Sequence, residues 1–209
     1  MSIVVVGGHS RNVGKTSVVA GLISALPEFN WTAAKITQFG HGVCSVNGES
    51  CGCAVDEHTI AISEERDRSG KSDTSRFLVA GAQRVLWVRT KQGRLAEAMP
   101  RLRREIAGAG NVILESNSVM KFLRPDLYLT VLDFSTADFK ESAREFLDFA
   151  DAIIIHEPPD AAAAAPKWSG VSLKPVAAKP SFQVRPPQYV TEEIVDFVRQ
   201  KLVAPIPRS

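Results

Sequence analysis

The stretch that most limits the fold is "SIVVVGGHSRNVGKTSVVAGLISAL", Ser2 to Leu26. A short β-branched run, Ile3–Val6, leads straight into Gly7 and Gly8. An unbroken apolar run bounded by glycines predicts a central parallel strand, buried on both faces. From Gly14 onward, Val18, Val19, Leu22, Ile23 and Leu26 recur at helical spacing, and Pro27 ends the pattern. Strand, glycine-rich turn and helix follow one another directly. The turn is irregular for a phosphate-binding loop. Five positions before Gly14, where a Walker A motif has glycine, stands His9, and the nearest glycine is Gly8.

The rest of the chain repeats the alternation. Thr32–Ile36, Arg84–Thr90, Asn111–Ser116, Asp126–Leu132 and Asp151–Glu157 read as strands, with shorter ones at Val171–Val176 and Ser181–Val184. Thr74–Ala82, Arg94–Ala107, Phe139–Phe149 and Thr191–Leu202 read as helices, the last with Thr191 as N-cap. Pro158–Pro166 is bounded by prolines and reads as a loop. The expected fold is α/β: a doubly wound, mostly parallel sheet flanked by helices, in three layers. Residues 1–209 are expected to form one domain, with a Cys/His-containing insertion at about 38–72 that has no clean period. In such folds ligands sit at the carboxyl ends of the strands.

Charge and hydropathy narrow the partners. The formal net charge is +2, which carries no signal for a nucleic-acid partner. No apolar stretch approaches the roughly 18 residues of a membrane span. "MSIVVVGG" has no basic n-region or small-residue cleavage site, so it is expected to be a strand and not a signal peptide. The expected compartment is the cytoplasm, with no membrane partner.

A phosphate needs several backbone N–H donors aimed at one point, and glycines let the chain wrap closely enough to supply them. The helix that follows adds its N-terminal dipole. Gly8, His9, Ser10, Arg11, Asn12, Val13, Gly14, Lys15, Thr16 and Ser17 are therefore the expected nucleotide-binding stretch. Lys15 supplies a mobile positive charge for the β- and γ-phosphates. Thr16 supplies a hydroxyl for Mg²⁺, with Ser17 as a lesser neighbour. The expected cofactors are Mg²⁺ and ATP or GTP; no Asn-Lys-x-Asp guanine signature decides between the two.

Gly8-x5-Gly14-Lys15-Thr16 is similar to the one-residue-longer loop of dethiobiotin synthetase and its relatives. Those belong to the signal-recognition/MinD/BioD class of P-loop NTPases. "KITQFG", Lys35–Gly40, resembles that family's Lys-Pro-x-x-x-Gly segment, with Ile36 in place of proline. A more extensive resemblance is to MobB, the nucleotide-binding protein of molybdopterin guanine dinucleotide biosynthesis. Its Pro-Gly-Lys-Asp-Ser-x-Arg-x-x-x-Ala-Gly-Ala segment is matched by "SGKSDTSRFLVAGAQRVLWV", Ser69–Val88, with one residue inserted before Asp73. Loop, Lys35, Asp73, Arg76 and Ala80–Ala82 carry the likeness across roughly the first 90 residues. Two departures stand out. MobB's histidine-rich run is replaced by "TQFGHGVCSVNGESCGCAVDEH", and the usual Glu-Gly at the end of the next strand becomes Glu115-Ser116.

The chemistry assigns roles. Asp73 and Glu115 follow predicted strand ends and could hold Mg²⁺ directly or through water. Lys35 could neutralise a transferring phosphoryl group or polarise an acceptor. Lys15, Lys35, Asp73 and Glu115 are the candidate catalytic residues; Thr16, Asp73 and Glu115 are the candidate Mg²⁺ ligands. The alternatives are a helix N-cap for Asp73, a strand-end carboxylate for Glu115, and a surface ion pair for Arg76. Asn117 could contact base or substrate, and base contacts are expected within Ile155–Lys179.

His41, Cys44, Cys51, Cys53 and His58 form H-x2-C-x6-C-x-C-x4-H and include every cysteine of the chain. Three thiolates and an imidazole would complete a tetrahedral zinc site. An iron–sulfur cluster shared between subunits and three reduced thiols are the other readings. His41, Cys44, Cys51 and Cys53 are the candidate ligands.

The resemblance to MobB implies Mg²⁺-dependent binding and slow hydrolysis of ATP or GTP, in the service of molybdenum-cofactor or other cofactor assembly. The alternatives are a phosphotransferase or ligase like dethiobiotin synthetase, and a metal-binding docking module regulated by nucleotide. A small-molecule or protein partner is expected in each case, and relatives suggest a homodimer.

Overall fold

The structure is a computed structural model and describes residues 1–39, 60–156 and 166–203. Eight strands form one sheet: β1 (Ser2–Gly8), β2 (Trp31–Phe39), β3 (Ile60–Glu64), β4 (Arg84–Lys91), β5 (Asn111–Glu115), β6 (Leu127–Asp133), β7 (Ala152–His156) and β8 (Ser181–Val184). Their order across the sheet is β3-β4-β2-β5-β1-β6-β7-β8. Every neighbouring pair is parallel except β3 and β4. The helices are α1 (Lys15–Ala25), α2 (Asp73–Val79), α3 (Leu95–Ile106), α4 (Glu141–Glu145) and α5 (Glu192–Val203).

Strand side chains alternate between two cores because successive residues point to opposite faces. Val4, Val6, Ala33, Val85 and Ile113 pack with Val18, Leu22, Phe77 and Ile194, from α1, α2 and α5. Val5, Ala34, Leu86, Val112 and Leu114 pack on the other face with Leu95, Met99 and Leu102 of α3 and with Phe146. The apolar runs of β1 and β5 have no polar alternation because both faces are covered. This is the expected three-layer arrangement. The strand β1 lies between β5 and β6, so its carboxyl end opens into the crevice where this architecture binds ligands.

Within the stretch at 38–72, Ile60–Glu64 forms the edge strand β3, paired antiparallel to β4. Three local expectations are corrected. Phe139–Phe149 is not one helix: it has the single turn α4 and a 3-10 turn at Leu147–Phe149. The cause is tertiary. Phe139 is held against His9 and Trp168 by ring contacts, and the Lys140 N–H bonds the His9 carbonyl, so the helix starts late. Lys174–Val176 is a 3-10 turn with Pro175 near its start, not a strand. Thr191 precedes α5, but its buried hydroxyl has no hydrogen-bond partner and does not cap the helix.

Candidate functional site

The turn after β1 is built from constraints that glycine alone meets. Gly14 has φ of 92°, and a Cβ there would sit 2.5 Å from His156 Cε1 and 2.7 Å from Tyr189 Cε1. Left-handed backbone alone costs a side-chain-bearing residue about 1–2 kcal/mol. A Cβ on Gly8 would meet Lys15 Cγ and Val13 Cγ2, both at 2.9 Å. The irregular spacing is explained by what His9 does. It is fully buried beneath the turn, its ring tilted against Trp168 at 4.7 Å and against Phe139 at 5.2 Å between centroids. Its Nδ1 donates to the Asp138 carbonyl at 2.8 Å and its Nε2 accepts from Asp133 N–H at 3.0 Å. Burial lowers its pKa against the pull of those contacts, which fits the neutral ring. His9 anchors the loop to the segment after β6.

Asn117 fixes the other shoulder. Its Oδ1 accepts from Gly8 N–H and its Nδ2 donates to the Gly8 carbonyl, both at 2.8 Å. The amide is consumed by the loop backbone, so it frames the turn and is not free to read a base. Ser10 Oγ donates to Asp138 at 2.6 Å.

Four of the expected residues meet at the mouth of the loop. Thr16 Oγ1 donates to Glu115 Oε2 at 2.8 Å. The Lys35 ammonium donates to Glu115 Oε1 at 2.8 Å, to Asp73, and to Thr16 Oγ1 at 3.4 Å. Register places them: Lys35 of β2 and Val6 of β1 both pair with Glu115 of β5. Asp73 is released for this role because Ser72, not Asp73, caps α2; Ser72 Oγ accepts from Ser75 N–H at 3.1 Å. Burial alone would lower the Lys35 pKa, but the Glu115 and Asp73 carboxylates outweigh it and hold it above the ordinary value. Glu115 is only 5% exposed, so it is no ordinary strand-end carboxylate.

Lys15 curls back to donate to the Ser10 carbonyl. Burial pushes its pKa down to about 8, with Glu115 opposing and Lys140 and Lys35 reinforcing the shift. Arg76 donates to Ser17 Oγ at 2.9 Å, which ties α2 to the loop. Lys140 had no motif to announce it. It lies more than a hundred residues from the loop in sequence, yet burial and the nearby Arg11 lower its pKa, and it is within electrostatic reach of Lys15, Lys35 and Glu115. Lys15, Lys35, Arg11 and Lys140 thus gather around Glu115, Asp73 and Asp138, and a polyanion would meet four cations there.

The donor set of Thr16, Asp73 and Glu115 suits Mg²⁺, which takes one or two carboxylates and a hydroxyl and completes its shell with phosphate and water. Among the described residues, no group of three or more His, Cys, Asp or Glu converges as a metal site. His41, Cys44, Cys51, Cys53 and His58 lie outside the described residues, as do residues 157–165 of the expected base-contact region. Within that region, His156 closes β7 against Gly14 and meets the Tyr189 ring at a tilt, 5.1 Å between centroids. A groove of about 890 Å³ lies elsewhere: it runs along the outer side of α1 and α5, and Ser17 and Arg76 reach it from the site. Among the described residues no helix is long and apolar enough to cross a membrane.

Neither a family model nor a curated protein matches the sequence. Solved structures do. The apo form of LpxK from Aquifex aeolicus in complex with ATP is 17% identical, over 88% of this chain and 53% of that one, with a TM-score of 0.47; the chain spans about half of that protein. A MobB homologue from Bacillus stearothermophilus is 16% identical over 88% of each chain, with a TM-score of 0.38. The hydrogenase maturation factor HypB from Archaeoglobus fulgidus is 14% identical over 96% of this chain and 90% of that one, with a TM-score of 0.53. Identity this low carries the fold alone. With the sheet order and the Gly8–Ser17 turn, it establishes that the chain has the P-loop NTPase fold.

Proposed function

We propose that this chain binds a Mg²⁺-nucleoside triphosphate in the Gly8–Ser17 loop and hydrolyses its terminal phosphoryl bond. The observation that carries this reading is the convergence of Thr16, Lys35, Asp73 and Glu115 at the mouth of the loop. Lys15 exchanges its Ser10 carbonyl partner for the β- and γ-phosphates, which restore the proton that burial makes costly. Bound Mg²⁺ supplies charge neutralisation on the phosphoryl oxygens. Thr16, Asp73 and Glu115 hold it directly or through water. Lys35 pairs with the same carboxylates in the free protein, and its ammonium would neutralise charge on the phosphoryl group if those carboxylates were engaged elsewhere. Lys140 and Arg11 add positive charge at the rim.

Sequence likeness refines the proposal. The Ser69–Val88 segment, which resembles MobB, is the one that delivers Asp73 and Arg76 to the site. On that basis we place the chain in the signal-recognition/MinD/BioD class and its activity in cofactor assembly, in the cytoplasm.

Equilibrium titration with Mg-ATP and Mg-GTP, followed by phosphate release, tests the core of the reading. Wild type is expected to bind one or both, and Lys15→Ala to weaken binding by about a hundredfold, the loss of a charge-assisted contact to a polyphosphate. Unchanged affinity in Lys15→Ala would sink the assignment.

A further inference from the structure

The floor of the crevice continues past Lys35. Trp31, Ala33 and Val85 pack into the core that also contains α1 and α2, so odd-numbered residues of β2 and β4 share that face. The parallel register Lys35↔Trp87 and Thr37↔Arg89 carries the face toward the carboxyl ends of both strands. The antiparallel pairing Ser63↔Trp87 adds the edge strand β3 to it. Lys35, Thr37, Trp87, Arg89 and Ser63 therefore lie on one continuous surface. Arg89 is one strand over and two residues on from Lys35. Ordinary strand spacings put their Cα atoms about 8 Å apart, within the span of a small molecule.

Beyond Lys35, which Asp73 and Glu115 neutralise, the side chains on this floor are held without a carboxylate partner among the described residues. The Arg89 guanidinium lies 4.3 Å over the Trp87 ring, and its Nη2 donates to Ser63 Oγ at 3.2 Å. Trp87 Nε1 donates to Thr37 Oγ1 at 3.1 Å, which fixes the ring beneath the guanidinium. Arg89 Nε is buried and has no hydrogen-bond partner, and among the described residues no carboxylate pairs with Arg89. Arg84, on the same strand but facing α3, shows what completion looks like: it is bridged by Glu64 at 2.8 Å and Glu105 at 2.6 Å. A buried guanidinium N–H without an acceptor is unfavourable unless a ligand supplies one. The planar fork of arginine suits an oxyanion with two oxygens, a carboxylate or a phosphate.

We propose that Arg89, oriented by Trp87 and Ser63, anchors a second-ligand subsite beside Lys35 that takes the carboxylate or phosphate of a small molecule. The subsite rests on the nucleotide reading of the loop in one respect: that reading places the ligand next to the terminal phosphoryl group.

Titration of the full chain with inorganic phosphate and, separately, with succinate tests the proposal, read by tryptophan fluorescence and calorimetry. At least one probe is expected to bind saturably, and Trp87→Phe is expected to remove the fluorescence change. Saturation by phosphate alone marks a phosphorylated ligand, and by succinate alone a carboxylate. Arg89→Gln should weaken the binding probe by about tenfold or more and leave Mg-nucleotide affinity within about twofold. Arg89→Met, which keeps the stem packed on Trp87, should behave likewise if glutamine perturbs folding. Lys15→Ala separates phosphate held in the Gly8–Ser17 loop, because it must leave the Arg89-dependent titration in place. Failure of both probes on wild type, wild-type titration by the Arg89 variants, or a matching loss of nucleotide affinity would each overturn the subsite. Absence of nucleotide binding with the probe titration intact would instead overturn the nucleotide reading alone.

Discussion

The two sides of the crevice differ in how far their polar groups are settled. On the loop side, Gly8 gives both its N–H and its carbonyl to Asn117, His9 uses both ring nitrogens, and Ser10 is tied to Asp138. On the strand side, one ammonium is shared among Thr16, Asp73 and Glu115, and Arg89 keeps a donor unused. A frame that must not move closes its hydrogen bonds within the protein, while a surface that must receive a charged ligand leaves charge to be redistributed. If this distinction is sound, mutations on the loop side should act through stability and mutations on the strand side through ligands.

The largest expected effect is on the loop side. Asn117→Ala leaves the Gly8 N–H and carbonyl buried without partners, at about 1–3 kcal/mol each, so a loss of about 2–5 kcal/mol in chemical denaturation is expected. Asn117→Asp keeps the acceptor for Gly8 N–H but sets a carboxylate against the Gly8 carbonyl, and should be no better. A variant of full stability that loses only nucleotide affinity would break the comparison, because it would make Asn117 a ligand contact.

A smaller effect is expected on the strand side. Lys35→Met removes the cation that now occupies the Thr16, Asp73 and Glu115 oxygens. Asp73 and Glu115 then lose their shared ammonium, and affinity for Mg²⁺ in the absence of nucleotide should rise by about tenfold, roughly one pKa unit's worth of like-charge interaction. Calorimetric Mg²⁺ titration of the two proteins decides it. Equal affinities would mean that the ammonium does not compete with metal, and that its position here has no bearing on the bound state.

What could be read from the sequence divides along the same line. The loop, β1, α1 and the strand alternation obey local rules of glycine placement and apolar spacing, so Gly8, Gly14, Lys15 and Thr16 were identifiable from the residues alone. Lys35, Asp73 and Glu115 were legible because each lies in a segment with a recognisable pattern, and the register of β1, β2 and β5 then brings Lys35 and Glu115 level. The framing residues were not legible. Asp138, Lys140 and Trp168 reach the loop from over a hundred residues away, through contacts that leave no periodic trace. The same contacts explain why Phe139–Phe149 is not the helix its pattern predicts: tying Phe139 and Lys140 to His9 overrides propensity. Arg89 was hidden for a related reason. An arginine on a strand is unremarkable until the structure shows that its neighbour Arg84 has two carboxylates and that, among the described residues, Arg89 has none.

The smallest expected effect tests Lys15, which belongs to both sides because it springs from the loop and faces the carboxylates. Burial holds its pKa at about 8 in the free protein, against an ordinary 10.5. The unfolded chain therefore binds more protons than the folded one between those two values. Stability of the nucleotide-free protein should rise with pH across that window, as far as Lys15 is concerned. Nucleotide affinity should move the other way. Phosphates favour the ammonium, so binding draws a proton back onto Lys15 wherever it is partly neutral. Affinity should fall severalfold from about pH 7.5 to about pH 9, with net proton uptake over the upper part of that range. Calorimetry in buffers of different ionisation enthalpy measures the uptake directly. Glu115, Lys140, Lys35 and Asp73 are the charged groups that act on Lys15. A flat affinity profile with no proton uptake would mean that Lys15 keeps its full charge in the free loop, and that the Ser10 carbonyl and Glu115 compensate its burial completely.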